Sequence, residues 1–149
     1  MRHQSLIPLT HEHHHALAAV RRLRLAAEGS EPHRTHAVRD FLGFFSADTI
    51  EHFRDEEERV FPLLVDVIEA EHTLERVMTE HLRIYSAVRS LRRELAEGCA
   101  SPATMLRVAA LLESHIRYEE KVVFPLMETT LTPELLENLS LTTRATASL

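Results

Sequence analysis

Apolar residues recur along most of this chain at intervals of three and four, the spacing that lines one face of an α-helix. The first run carries His13, Leu17, Val20, Leu23 and Ala27; Thr10 is its expected N-cap, and Gly29 ends it after about Glu28. Ser30 to His33 makes a polar connection, with Pro32 placed for a new first turn. The second run sets Val38, Leu42, Phe45, Thr49, His52, Glu56 and Val60 on one face, and Pro62 is expected to kink or end it. Gly43 within it costs roughly 1 kcal/mol against Ala, which close packing would explain. After a connection near 63–71, the third run shows Leu74, Met78, His81, Ile84 or Tyr85, Val88, Leu91 and Leu95, and Gly98 stops it. Ser101 and Pro102 open the fourth, whose stripe is Val108, Leu112, His115, Glu119, Val122 and Leu126. Thr132-Pro133 begins a short fifth helix through about Leu139, with a tail expected to fray.

The predicted architecture is all-α: an antiparallel up-down-up-down four-helix bundle with a short C-terminal fifth helix. One domain is expected over 1–149, with the bundle at about 10–128 and the appendage at 129–149. The bundle reads as two similar helical hairpins, because the chain repeats itself. HFRDEEERVFPLL at 52–64 and HIRYEEKVVFPLM at 115–127 share eight of thirteen positions. His11-Glu12-His13 with Ala19-Val20-Arg21 likewise aligns with Thr79-Glu80-His81 and Ala87-Val88-Arg89. A duplicated hairpin closing on itself accounts for both repeats.

Composition narrows the function classes. A net charge of −6 argues against nucleic acid as a partner. The N-terminus lacks the apolar run of a signal peptide, no segment approaches a membrane span, and the sole cysteine, Cys99, suits a reducing compartment. A soluble cytoplasmic protein is expected.

The apolar seam is interrupted by six groups that are costly to bury: His13, His52, Glu56, His81, His115 and Glu119. Each HxxxE pair stacks an imidazole and a carboxylate one turn apart. Either the six hydrogen-bond one another as a polar layer, or a cation sits among them. A divalent metal solves the burial problem more fully, since it requires neutral imidazoles and ionised carboxylates. Imidazole with carboxylate and no thiolate suits iron, manganese, zinc or copper. Six ligands are too many for one tetrahedral zinc but serve two octahedral ions if the glutamates bridge.

The order EH…HFxxEExxxFP…EH…HxxxEExxxFP, over roughly 10–127, resembles the hemerythrin-like HHE cation-binding proteins. The resemblance implies two iron ions in a non-haem di-iron centre, oxo- or hydroxo-bridged. Carried over, the ligands are His13, His52, Glu56, His81, His115 and Glu119. It also implies a small diatomic ligand or peroxide as partner, in sensing, scavenging or stress defence. A di-iron enzyme (peroxide disproportionation or oxidase) and an iron-dependent sensing or interaction module are the alternatives. Oxygen-carrying hemerythrins have a further histidine where this chain has Tyr85, and an aspartate where it has Glu119 followed by Glu120. Four imidazoles, two bridging carboxylates and one bridging oxygen fill about ten of roughly twelve positions on two octahedral ions, leaving more room for redox chemistry.

Some residues keep two readings. Tyr85 is a core aromatic or a metal-proximal phenol, and His14 is the one rival to His13. Glu57 and Glu120 sit about 100° around the helix from Glu56 and Glu119, the bridges that the resemblance implies, in supporting or surface roles. His3, His11, His33, His36 and His72 are read as solvated, and Phe61 and Phe124 as packing that closes the bundle end.

Overall fold

A computed structural model describes residues 1–139, so the expected fraying of the tail beyond Leu139 lies outside the described residues. Four long helices and one short helix form an all-α bundle, with no strand among the described residues. Helix α1 is Ile7–Ala27. Helix α2 joins Glu31–Phe44 and Ile50–Asp55 through a π turn at Phe45–Thr49, and ends in a second π turn at Glu56–Val60. Two 3-10 turns, Phe61–Leu64 and Ile68–Ala70, lead to α3 at Glu71–Ala96. Helix α4 joins Pro102–Tyr118 and Phe124–Thr130 through a π turn at Glu119–Val123, and α5 occupies 133–139.

Helices α1 and α3 each pack against α2 and α4. Registers are antiparallel: Arg24 pairs with Glu113 while His13 meets Glu120, and Arg92 meets Ser46 while His81 meets Glu57. Two apolar clusters fill the interior. Val20, Leu23, Phe45, Val88, Leu91 and Met105 form one end; Leu6, Val60, Leu64, Val123, Phe124 and Met127 form the other, closed by Leu136 and Leu139 of α5. The six seam histidines and glutamates lie between them, all buried. Among the described residues, no helix is long and apolar enough to cross a membrane.

Several local expectations hold. Ser101 accepts the Thr104 N–H as an N-cap, and Gly98 terminates α3 at a φ of 77°, where a side chain would be strained. Others are corrected. Thr10 does not cap α1, which starts a turn earlier because Pro8 suits a first turn; the Thr10 hydroxyl instead donates to Glu120. Gly43 is exposed and a Cβ there would meet nothing, so close packing does not explain it. His3 is half-buried, and its Nδ1 accepts the Ser5 N–H.

The largest correction follows from the π turns, which sequence spacing did not anticipate. Beyond Glu119 the expected inward residues were Val122 and Leu126. Val122 is 41 % exposed, whereas Val123 and Met127 are fully buried. In this turn Phe124 N–H bonds to Glu119 C=O, and the extra residue rotates the following face by one position. The same bond joins Phe61 to Glu56 in α2. Both turns precede a proline, Pro62 or Pro125, whose missing N–H and bulky ring already break the regular ladder. Met78, at 41 % exposure, also leaves the predicted α3 stripe, and Val77 takes its place.

Candidate metal centre

Each long helix delivers one imidazole to the middle of the bundle, and each of the two repeated π turns begins at a glutamate. His13 Nε2 lies 3.0 Å from His52 Nε2, and His81 Nε2 lies 3.0 Å from His115 Nε2. The glutamates sit between these pairs. Glu56 Oε2 is 3.2 Å from His52 Nε2, while its Oε1 is 3.4 Å from His81 Nε2. Glu119 Oε1 is 2.7 Å from His115 Nε2 and 3.6 Å from His13 Nε2. Two overlapping clusters result: His13, His52, Glu56 and Glu119, and Glu56, His81, His115 and Glu119, each with ligand atoms within 4.8 Å of one another.

Behind the imidazoles runs a ring of carboxylates. Each Nδ1 faces one: His13 meets Glu120 at 3.0 Å, His52 meets Glu12, His81 meets Glu57 at 2.7 Å, and His115 meets Glu80 at 2.9 Å. Every helix thus supports the histidine of the next, α1 to α2, α2 to α3, α3 to α4, and α4 back to α1. Glu57 and Glu120 take the supporting role that was one of their two expected readings. Glu12 and Glu80 were missed, although their signal was present: each immediately precedes a histidine in the repeated EH pair. Their target histidine is on another helix, which spacing along one helix cannot reveal.

This ring sets the chemistry of the inner atoms. An imidazole that donates Nδ1–H to a carboxylate presents an unprotonated Nε2 in its neutral form. Two such lone pairs facing each other at 3.0 Å repel unless a proton or a cation lies between them. Meanwhile all four oxygens of Glu56 and Glu119 are buried without a hydrogen-bond partner. A buried carboxylate left so is costly, and a cation reached by nitrogen and oxygen alike removes both problems.

Without a cation, protons must redistribute. Burial, then the charge of Glu119, pushes Glu56 well above the usual carboxylate range. Glu119 resists its own burial and stays well below that range, held first by the charge on His115, with Glu56 and His13 close beside it. Burial and then the charge on His115 drive His81 down to about 3. Burial also opposes charge on His115, but Glu119 and Glu80 outweigh it and raise His115 to about 10. The metal-free centre is therefore a frustrated set, in which one imidazole of a facing pair is charged and the other neutral.

The hemerythrin HHE cation-binding domain family matches residues 7–137, spanning all four long helices and both clusters. The chain belongs to that family. No curated protein and no solved structure is significantly similar to it. Membership in this family of cation-binding domains agrees with the two buried His/Glu clusters.

The remaining residues fall outside the clusters. His14 is exposed while His13 is buried. Tyr85 packs edge-on against Phe45 and Phe53, and its phenol is raised by burial and by the nearby charge of Glu57. Phe53 stacks on His81 at 3.8 Å, and Phe124 stacks on His13 at 5.5 Å, so flanking rings hold two of the imidazoles flat.

Proposed function

We propose that this member of the hemerythrin HHE family is a non-haem di-iron protein that binds or reacts with dioxygen, peroxide or nitric oxide, in sensing, scavenging or stress defence. In this reading His13 and His52 hold one ion, His81 and His115 the other, and Glu56 and Glu119 reach both. The observation that carries it is the pair of Nε2-to-Nε2 contacts at 3.0 Å, flanked by unpartnered carboxylates. Nitrogen and oxygen donors without thiolate, in two overlapping sets, suit redox-active first-row metals better than calcium or magnesium. Iron held there supplies one-electron redox chemistry and open coordination positions for a small oxidant.

The chain's own residues prepare that site. Glu12, Glu57, Glu80 and Glu120 fix the imidazole orientations and keep Nε2 free. Buried Ile84, Val88 and Leu112 exclude water on one side, and Phe61, Val123 and Phe124 on the other. Action in the cytoplasm accords with a single cysteine, the exposed Cys99.

Metal analysis by mass spectrometry, on protein made in iron-sufficient medium and purified without a metal-affinity tag, tests the reading. About two irons per chain are expected; no metal, or substoichiometric zinc alone, overturns it. A second reading, consumption of peroxide or oxidation of a reductant, is favoured by a cavity that reaches His13 and His52. It requires hydrogen peroxide turnover by the iron-loaded protein that disappears in His115→Ala.

A further inference from the structure

The two halves of the duplicated bundle differ beside their histidines. A cavity of about 290 Å³ lies between α1 and α2 and reaches His13 and His52. Its wall includes Ala16, Phe53, Leu112 and Ile116, and its mouth carries Glu12, Asp48 and Glu51. The internal repeat places Ile84 beside His81 where Ala16 stands beside His13, and Leu112 before His115 where Thr49 stands before His52. Ile84 and Leu112 are each 1 % exposed, so the larger side chain of each pair is fully packed.

Thr49 is the anomaly in that wall. It lies on the His52 stripe, one turn earlier, and is 4 % exposed, yet its hydroxyl has no protein hydrogen-bond partner. A threonine in a regular helix commonly satisfies its hydroxyl on a carbonyl one turn back. Thr49 instead ends the π turn Phe45–Thr49, and α4 has only regular helix at the corresponding 108–112. Irregular turns of this kind concentrate at functional sites, and a buried hydroxyl left unpaired costs stability until something accepts from it.

We propose that Thr49 is a positioning residue that donates a hydrogen bond to a small uncharged ligand with an acceptor atom, such as nitric oxide or dioxygen, held in this cavity against His13 and His52. The inference rests on the di-iron reading above. A water molecule occupies about 30 Å³ of liquid, so a diatomic molecule enters this cavity without displacing protein atoms. The apolar wall and acidic mouth disfavour an anion.

The test uses the iron-loaded full chain with nitric oxide as probe, in the wild type, Thr49→Val, Thr49→Ser and Ala16→Ile. Release rate, association rate and the N–O stretching frequency are read, with iron counted on every sample. Thr49→Val is expected to release nitric oxide roughly fivefold faster, the weight of one hydrogen bond, with a shifted stretch. Thr49→Ser restores both toward the wild type, which loss of packing alone would not do. Ala16→Ile narrows the cavity and slows association. Wild-type release and stretch in Thr49→Val carrying two irons overturns the proposal. If Thr49→Val does not fold, unchanged association in Ala16→Ile overturns it instead. A wild-type chain without iron removes the di-iron reading itself, and the iron count distinguishes that failure from the others.

Discussion

His13 and His52 face each other nitrogen to nitrogen, their Nε2 atoms 3.0 Å apart, although they stand on different helices. Their Nδ1 atoms are turned outward to Glu120 and Glu12, so both lone pairs are directed into the same small volume. His81 and His115 repeat the arrangement. If each pair holds one ion, His52→Ala removes one of two metal equivalents and leaves the other, whereas Glu56→Gln weakens both. Metal stoichiometry by mass spectrometry separates these outcomes; loss of both equivalents in His52→Ala would mean the two positions do not fill independently.

The carboxylate ring carries its own expectation. Removing the acceptor behind a ligating imidazole typically costs about 10–100-fold in metal affinity. Glu80→Ala and Glu12→Ala should each show a loss of that order in chelator competition, with helix content unchanged by circular dichroism. Glu12 is half exposed and Glu80 is more buried, at 48 % and 17 % side-chain exposure. The larger effect is therefore expected at Glu80.

Stability of the metal-free protein should be highest between about pH 4.5 and 6.5. In that window Glu56, held well above the usual carboxylate range, loses stability with rising pH and offsets the gain from His81. His81 has a folded value of about 3, below the ordinary 6.5, so the unfolded chain binds the extra proton first and its contribution falls as pH drops from 6.5 toward 3. His115 has a folded value of about 10, so its contribution is full below 6.5 and is lost as pH rises toward 10. Glu119, held low, adds to the acid-side loss below its ordinary 4.5. Urea midpoints across this range read the curve. Metal loading should abolish the alkaline fall, because a cation replaces the proton on His115.

Two substitutions test the packing around the centre. Phe53 is 1 % exposed and touches His81, His115 and Tyr85, so Phe53→Ala should lose about 3–5 kcal/mol in denaturant unfolding. Gly43 lies in a regular helix with open space at its Cβ position, so Gly43→Ala should gain about 0.4–1 kcal/mol. A loss at Gly43 would show that α2 needs its freedom next to the π turn.

Much of this architecture was legible from residue spacing because helical periodicity and punctuation are local. The stripe from Val38 to Val60 is buried at every expected position, and Ser101 and Gly98 act where they were expected to. The repeat brought His13, His52, Glu56, His81, His115 and Glu119 into view, and the structure gathers all six. What failed was a matter of geometry one step beyond regular helix. Val122 and Leu126 were placed inward by a regular period, and the π turn at Glu119–Val123 moved that face to Val123 and Met127.

The sequence alone determined which groups would be forced together, since apolar stripes must meet in a core and carry their polar members with them. Only the tertiary structure decided who supports whom. Glu12 and Glu80 act across helix boundaries, Thr49 loses its partner in an irregular turn, and a cavity lies beside Ala16 in one half of the duplicated core. These facts depend on how helices rotate and approach one another, which the period of any single helix leaves undetermined.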